Sequence, residues 1–497
     1  MSIIETAKEQ RQSKIHKCKS QTWDFVVIGA GITGIQTFRV LASKGLKVLI
    51  IDSGDFSSGT SSNSGMLIWG GLLYLKSLDF KSVFKFSKSR DSLIKNDPEN
   101  IKALGVTYLY DNKKILTEIA MWFYWFISFF QRKTPRSGIQ LKGSGLFKRK
   151  YRRSSQFEEA LIQSSDSRYS IDLLTSCLLK QANSQAFNYL SLKKGNHADS
   201  VWNLTLFDKI NGQSIDINAT NVINCGGIYV DEINNLLGIK KSPYRHLWSK
   251  GMYLNLIRKN NHNDMLIFDD PEKDDVLTFC PVGAVSFFGP TEDNIDNDKR
   301  KAHQITNEEI RELSRKYEVL TGEKMKRSDI VSFRLGIRPL CVPSHFSGNG
   351  YTLGISRNSK IFHIKDRHFS AVYGGKFTGS YELAIKTAKD FGVDNIPTDK
   401  GFIPYWKSAD KKLKHIEPEM AVLQEQCWTL KDYLRNRTFI HQSIANGGFG
   451  LNFEFKEKLN DLSNLFLQEL ASKDVSWNAY YQEQACLNEL LKDEIDG

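Results

Sequence analysis

The feature that most constrains this chain lies between residues 23 and 53, where two apolar runs flank a glycine-rich turn and an amphipathic stretch. The run DFVVIG is β-branched and apolar without alternation, as a central parallel strand covered on both faces requires. GAGITG follows, and then ITGIQTFRVLASKG, whose apolar spacing and closing Gly45 predict a short helix with a glycine stop. A second apolar run, LKVLIID, ends at Asp52. This is one complete β-α-β unit of Rossmann type. Gly29 allows the tight turn, Gly31 lets backbone approach a pyrophosphate, and Gly34 lets the helix pack close to the strand. The helix N-terminus offers N–H groups and a partial positive charge to phosphates. Asp52, 18 residues beyond Gly34, stands where a carboxylate accepts hydrogen bonds from adenosine ribose hydroxyls and disfavours a 2'-phosphate. The motif alone does not separate FAD from NAD. Its position at the start of a long chain of mixed structure is the usual layout of a flavoprotein.

A length of 497 residues accommodates two domains, and 40% apolar with 25% charged residues excludes a disordered chain. Lys and Arg outnumber Asp and Glu by 68 to 56, which favours a small anionic substrate or an acidic surface; nucleic acid is not an expected partner. Basic clusters at Lys148, Arg149, Lys150, Arg152 and Arg153, and at Lys411, Lys412 and Lys414, read as solvated faces. Seven cysteines (Cys18, Cys177, Cys225, Cys280, Cys341, Cys427, Cys486) lack C-x-x-C spacing, so no metal site is expected and a reducing compartment is implied. The first twenty residues are polar, unlike a secretory signal or anchor. Together these suggest the cytoplasm, with a peripheral position on the inner membrane face left open. That option comes from residues 119–130, IAMWFYWFISFF, bracketed by Lys113, Lys114, Arg132 and Lys133. Crossing a bilayer needs roughly 20 apolar residues, so this segment suits a buried helix or one lying in the interface.

Further along, residues 79–148 read as helical and aromatic, and 185–260 alternate in the manner of strands. Residues 276–289 read as two strands joined by a turn at Pro281-Val282-Gly283-Ala284. A charged helix over 305–325, strands from 330 to 373 and a helix over 381–391 follow. After about residue 398 a polar, helical composition suggests a separate C-terminal region.

Downstream of the dinucleotide unit stands Gly59-Thr60-Ser61-Ser62-Asn63-Ser64-Gly65-Met66-Leu67-Ile68-Trp69-Gly70-Gly71-Leu72-Leu73-Tyr74-Leu75. It resembles the T-S-S-x-x-S-x-L-I-H-G-G-L-R-Y-L signature of the FAD-dependent glycerol-3-phosphate dehydrogenases, with one residue of slack around Gly65 and Met66. Val222-Ile223-Asn224-Cys225-Gly226-Gly227 is similar to the family's V-N-A-T-G strand end. Lys250-Gly251-Met252-Tyr253 is similar to K-G-S-H. Asp329-Ile330-Val331 with Gly336-Ile337-Arg338-Pro339-Leu340 resembles D-I-V and G-V-R-P-L, and Tyr373-Gly374-Gly375-Lys376-Phe377-Thr378 resembles F-G-G-K-L-T. In order and extent, from about residue 23 to 390, the matches point to the superfamily containing glycerol-3-phosphate dehydrogenase and D-amino-acid oxidase.

The resemblance implies an α/β fold, α+β in its substrate domain. A Rossmann-type FAD-binding domain (about 23–90, 165–235 and 345–395) would join an antiparallel-sheet substrate domain (about 91–164 and 236–344). Together these make an oxidoreductase unit over 23–395, preceded by a polar extension over 1–22 and followed by a C-terminal helical region over 396–497. It also implies FAD held by Gly29, Gly31, Gly34, Asp52, Thr60, Ser61, Ser62, Met66, Leu67, Gly226, Gly375, Lys376 and Thr378. Departures fall at the substrate end. Trp69 replaces the family's His, Leu73 its Arg, Met66 its Lys, Tyr253 a second His, and Asn349 a further Arg before Gly350-Tyr351-Thr352-Leu353. Glycerol 3-phosphate is therefore not the expected substrate. Arg338 and Lys376 remain, and Arg334 is added where the family has an uncharged residue. On one strand Arg334, Gly336 and Arg338 share a face, the two arginines roughly 13 Å apart at ~3.3 Å per residue, a span that would suit a longer anion. The alternative for Arg334 is an ion pair with a carboxylate such as Asp329. The implied chemistry is hydride transfer to flavin from a C–H bond next to oxygen or nitrogen, with Lys376 near the flavin N1 region and Tyr253 orienting the substrate. O2 or quinone would then take the electrons. A flavin-binding protein without turnover is the third reading. His246 and His363 read as structural.

Overall fold

The computed structural model describes residues 2–75, 78–110, 114–138, 151, 153–259, 263–270, 276–295, 298, 303–346, 358–397, 401–409, 415–467, 477–491 and 495. The basic residues Lys148, Arg149, Lys150, Arg152, Lys411, Lys412 and Lys414, together with Asn349 and the segment 350–353, lie outside them.

The strand Thr22–Ile28 sits at the centre of a parallel array. It pairs on one side with Val48–Ile51 and on the other with Gln213–Asn224, in registers Val26↔Leu49 and Val26↔Val222. Gln185–Phe187 and Phe369–Tyr373 extend the sheet in parallel, and Lys360–Ile364 closes one edge in antiparallel sense. Consecutive side chains bury into opposite layers. Phe25, Val27, Val48 and Ile50 face helices Ile32–Ala42, Asp166–Leu178 and Ser380–Lys389, whereas Trp23, Val26, Leu49 and Ile51 face the other side. Burial on both faces is why the strand reads as an unbroken apolar run.

The second sheet has ten strands, nearly all antiparallel. Its long pair, Tyr244–Ile257 with Ile330–Pro343, runs in register from Tyr244↔Pro343 to Asn255↔Ser332. Helix Asn307–Thr321 buries Ile310, Leu313 and Leu320 against it. The stretch 79–148 that read as helical contains helices Phe80–Asn96 and Lys114–Ile127, but between them Ile101–Tyr110 is a strand of this sheet, paired with Arg153–Ile162. Its half-buried alternation is masked in sequence by the aromatic helices on either side.

Two regions at the chain ends are integrated into the body. The polar N-terminal stretch folds as helix Ile3–Lys19, begun by a Ser2–Glu5 capping box. Its buried stripe is Ala7, Arg11, Ile15 and Cys18. Arg11 is a buried cation at a stripe position, bonded to Asp208 at 2.9 Å and to the Asn188 carbonyl at 2.8 Å, so apolar periodicity alone does not reveal the helix. The C-terminal region is helical, and it is not set apart. Trp406, Trp428, Tyr433 and Phe449 share a core with Ala7 and Ile210. Arg437 forks onto Asp55, just past the second parallel strand, at 2.7 and 2.9 Å. Glu425 bridges Arg437 to Arg168, which also meets Asp172 at 2.7 Å.

Candidate active site

The parallel strands end at a cavity of about 820 Å³ lined by Gly29, Gly31, Asp52, Thr60, Ser61 and Gly226 among others. Three glycines of the turn have different reasons to be glycine. Gly29 has φ +101°, and a Cβ there would lie 2.5 Å from the Cys225 carbonyl oxygen. At Gly34 a Cβ would lie 3.0 Å from the Gly29 carbonyl carbon, nearer still to its oxygen. Both positions are demanded by helix-to-strand packing. Gly31 caps the helix at φ −77°, and a Cβ there would meet only the Ser61 hydroxyl, at 3.0 Å. At Gly31 the obstacle is one side-chain hydroxyl rather than backbone, so packing alone demands glycine less there than at Gly29 and Gly34.

Asp52 closes the second strand. Its two oxygens accept the Ala30 N–H at 2.7 Å and the Gly54 N–H at 2.9 Å, and burial pushes its pKa up to about 6 against those two bonds. The Ser61 hydroxyl accepts the Ile32 N–H at 2.9 Å, at the first turn of the helix. Thr60 donates to the Ile337 carbonyl at 2.7 Å, and Ser62 to the Gly59 carbonyl at 3.0 Å. These bonds fix the 59–63 loop against both the helix and the substrate sheet. Gly226 completes the opposite wall, its N–H given to the Asn224 side chain at 3.0 Å.

Two further loops meet beyond this end. Gly374 and Gly375 adopt φ +69° and +120°, a turn open to glycine. The Gly374 N–H donates to His246 Nε2 at 2.9 Å. Burial holds the His246 pKa down to about 4, so the ring is neutral and acts as a strut. His363 is a strut as well, its Nδ1 2.8 Å from the Ser370 hydroxyl. The Thr378 hydroxyl accepts the Trp69 N–H at 2.9 Å, tying this turn to the 59–75 loop. Lys376 donates to the Tyr74 hydroxyl, its ammonium 4.4 Å from the Tyr74 ring centre and 5.2 Å from that of Phe86. Met66 is buried at φ +58°, and Leu67 pairs with Leu161 of the substrate sheet. Tyr253 stands over the same loop, its hydroxyl 3.2 Å from where a Gly65 Cβ would be.

The two arginines of the Ile330–Pro343 strand part company. Arg338 lies over Gly251, where an added Cβ would come within 2.5 Å of its Nη2. It has a 3.4 Å contact to the Ser249 hydroxyl and a 3.7 Å contact to Glu292, and its side chain stays 25% exposed. Arg334 is 0% exposed and ion-paired with Asp166, with a further bond to the Ser64 carbonyl. An anion clasped between the two arginines is therefore not what this geometry provides: Arg334 is committed to Asp166 inside the protein. Asp329, the carboxylate that sequence proximity suggested for it, pairs with Lys259 at 2.7 Å.

Sequence reasoning did not single out a buried set beneath Gly70. Arg90 bonds Glu159 at 3.1 Å and the Tyr124 hydroxyl at 2.7 Å, and Glu159 accepts the Gly70 N–H at 2.7 Å. The available signal was an acid in the otherwise apolar-alternating strand end FEEALI, a pattern that specifies a partner without identifying it.

The sequence profile of the FAD dependent oxidoreductase family, DAO, matches residues 24–374. The chain belongs to this family. FAD is accordingly its cofactor, and the cradle at Gly31, Asp52 and Ser61 fits a dinucleotide. The chain is 27% identical over 397 residues to the aerobic glycerol-3-phosphate dehydrogenase of Staphylococcus haemolyticus, a match covering 74% of this chain and 66% of that protein. It thus spans just under two thirds of that relative. With the Escherichia coli protein of the same name it shares 24% identity over 396 residues, covering 78% and 76%. Among solved structures, the glycerol-3-phosphate dehydrogenase of Bacillus halodurans complexed with FAD superposes with TM-score 0.69 at 17% identity over 97% of each chain. The FAD-bound L-α-glycerophosphate oxidase of Mycoplasma pneumoniae gives TM-score 0.58 at 14% identity, covering 77% of this chain and 99% of that one. These two likenesses establish the shared fold.

Proposed function

We propose that this chain oxidises a small anionic alcohol or amine at the C–H bond next to its oxygen or nitrogen, and that the substrate is not glycerol 3-phosphate. The observation that carries this reading is Arg338, a guanidinium held over Gly251 with one distant carboxylate and part of its surface open. Its planar fork suits a carboxylate or phosphate. FAD, when bound, supplies the acceptor for the hydride. The chain's own residues do the rest: Arg338 holds the anionic end, Tyr253 leans over the 59–75 loop to orient the reacting end, and Lys376 keeps positive charge beside the flavin. Trp69, Met66 and Tyr253, where related dehydrogenases carry His, Lys and His, leave a glycerol phosphate without its usual polar partners. The test is anaerobic mixing of the yellow protein with a panel of phosphorylated and carboxylated alcohols and amines. Bleaching by one anionic member, lost in Arg338→Ala with flavin retained, supports the assignment. Bleaching by glycerol 3-phosphate above all others overturns it.

A second observation favours an electron acceptor in a membrane over O2. Helix Lys114–Ile127 buries Met121 and Tyr124, but leaves Leu116 71% and Phe126 60% exposed, with Phe129 at 62% in the following turn. Phe80 and Phe84 of the neighbouring helix join this surface, their rings 5.2 and 5.7 Å from Phe123 and Phe129. Lys133 stands at its border, 83% exposed. Among the described residues no helix is long and apolar enough to cross a membrane. An exposed aromatic face of this kind suits the headgroup layer of a bilayer. The wild-type chain should float with phosphatidylglycerol-containing vesicles and Phe126→Asp should not; equal recovery of both at the bottom of the gradient would leave O2 as the acceptor.

A further inference from the structure

The cavity at the dinucleotide end does not stop there. It continues along strand Ile330–Pro343 on the side of Val331, Phe333 and Leu335. Successive strand residues point to opposite faces, so this side is the reverse of the one that carries Arg338. The far wall is built by the C-terminal region, from Lys431, Arg435, Leu487 and Leu491, with His303 and Ile305 alongside. The C-terminal members lie beyond residue 374, where the match to the family profile ends.

The charges on this wall are not balanced. Lys431 is met by Glu483 at 2.7 Å, near the rim. Arg435 is half-buried and gives one N–H to the Asn63 side chain at 2.8 Å; among the described residues no carboxylate stands within ion-pairing distance of it. A guanidinium whose nearest carboxylates, Glu483 and Asp166, act on it only from beyond ion-pairing distance is an expensive arrangement unless an anion visits it. Burial, followed by the proximity of Arg435 and Lys431, also lowers the pKa of His303, which is the mark of a positive field in this end of the cavity. The adjoining surface is apolar, formed by Phe333, Leu335, Leu487 and Leu491. Phe333 and Leu335 pack on the substrate-sheet core, to which Leu491 also belongs.

We propose that this wall binds an amphiphilic organic anion, its carboxylate held by Arg435 and its apolar body laid against Phe333, Leu335 and Leu491, at a site separate from the Arg338 face. Arg435 also steadies Asn63 in the loop that packs over the cofactor turn, so the ligand and the cofactor loop share one cation. The site stands independently of the substrate assignment, because none of its residues belongs to that face.

The experiment is calorimetric titration of the full chain, loaded with FAD, using decanoate, decanol and inorganic phosphate as probes. Decanoate should bind at one site at least tenfold tighter than either of the others, since only it carries both the charge and the chain. Arg435→Gln should weaken it tenfold or more, and Arg338→Ala should not. Should Arg435→Gln fail to hold flavin, Leu487→Asn replaces it and should weaken decanoate without affecting inorganic phosphate. The proposal is overturned if decanoate binds no better than decanol or phosphate, or if binding is lost in Arg338→Ala and kept in Arg435→Gln. It is equally overturned if only flavin-free protein binds decanoate, because the space then belongs to the cofactor.

Discussion

Alanine at Gly31 and alanine at Gly34 should give opposite results, although the two glycines lie three residues apart in one motif. A Cβ at Gly34 would press into the Gly29 carbonyl group and sit 3.3 Å from Cys225 Cβ. The first obstacle is backbone, so the helix must move off the strand. Overpacking of this kind costs about 1–3 kcal/mol or more, and it is felt with or without cofactor. At Gly31 the obstacle is a single side-chain hydroxyl, Ser61 Oγ at 3.0 Å, which a small shift can relieve at the expense of its bond from the Ile32 N–H, and the φ of −77° suits alanine. The flavin-free chain should therefore lose less than about 1 kcal/mol. A diphosphate is different, because the methyl group takes the place from which it reaches the helix N-terminus. Each charge-assisted hydrogen bond lost is worth about 1.5–3 kcal/mol, which converts to roughly 10- to 150-fold in affinity. The assay pairs urea unfolding of flavin-free protein with titration of FAD fluorescence. Gly31→Ala should unfold near the wild-type midpoint and bind FAD at least tenfold more weakly, while Gly34→Ala should unfold early. Wild-type FAD affinity in Gly31→Ala would refute the assignment of the pyrophosphate to this turn.

Three other expectations follow from buried polar groups. The folded, flavin-free chain holds the Asp52 proton up to about pH 6, against 3.8 for an ordinary aspartate, so this carboxyl's contribution to stability is complete below about pH 4 and is lost as pH rises through 6. FAD would have the reverse preference, since ribose hydroxyls would donate to the ionised form. Its affinity should fall as pH drops from 7 to 5, an effect that Asp52→Asn should flatten; a dissociation constant unchanged across that range in the wild type contradicts the ribose contact. Arg334→Met strands Asp166 without a counter-ion and should cost about 3–5 kcal/mol by denaturant unfolding, most of it recovered in Arg334→Met/Asp166→Asn; a loss below about 1 kcal/mol would mean that the pair is not formed. His246→Phe leaves the Gly374 N–H unpaired and should cost about 1–3 kcal/mol; because the unfolded chain protonates this ring near 6.5 and the folded chain only near about 4, the wild type should lose stability as pH falls below 6.5, and His246→Phe should remove that part of the slope.

What could be read from sequence and what could not divides along a physical line. Turn geometry, strand burial and helix capping are local, so the 23–53 unit was legible, glycine by glycine, from residues within a few positions of one another. The resemblance over residues 59–75 rests on an equally local run of residues. Ion pairs are not local. Arg334 and Asp166 are 168 residues apart and Arg437 and Asp55 are 382 apart, and nothing near either member names the other. Periodicity also misleads when a charge is buried, as Arg11 shows on the N-terminal helix. The substrate strand brings both cases together. Arg334 and Arg338 share a face by simple alternation, and the spacing correctly puts them there. Their roles separate only because Asp166, arriving on a helix from the dinucleotide domain, neutralises one and leaves the other to Ser249 and a distant Glu292. Which basic residue of the strand is left open to a ligand therefore depends less on the strand's own sequence than on which of them the rest of the fold has already occupied.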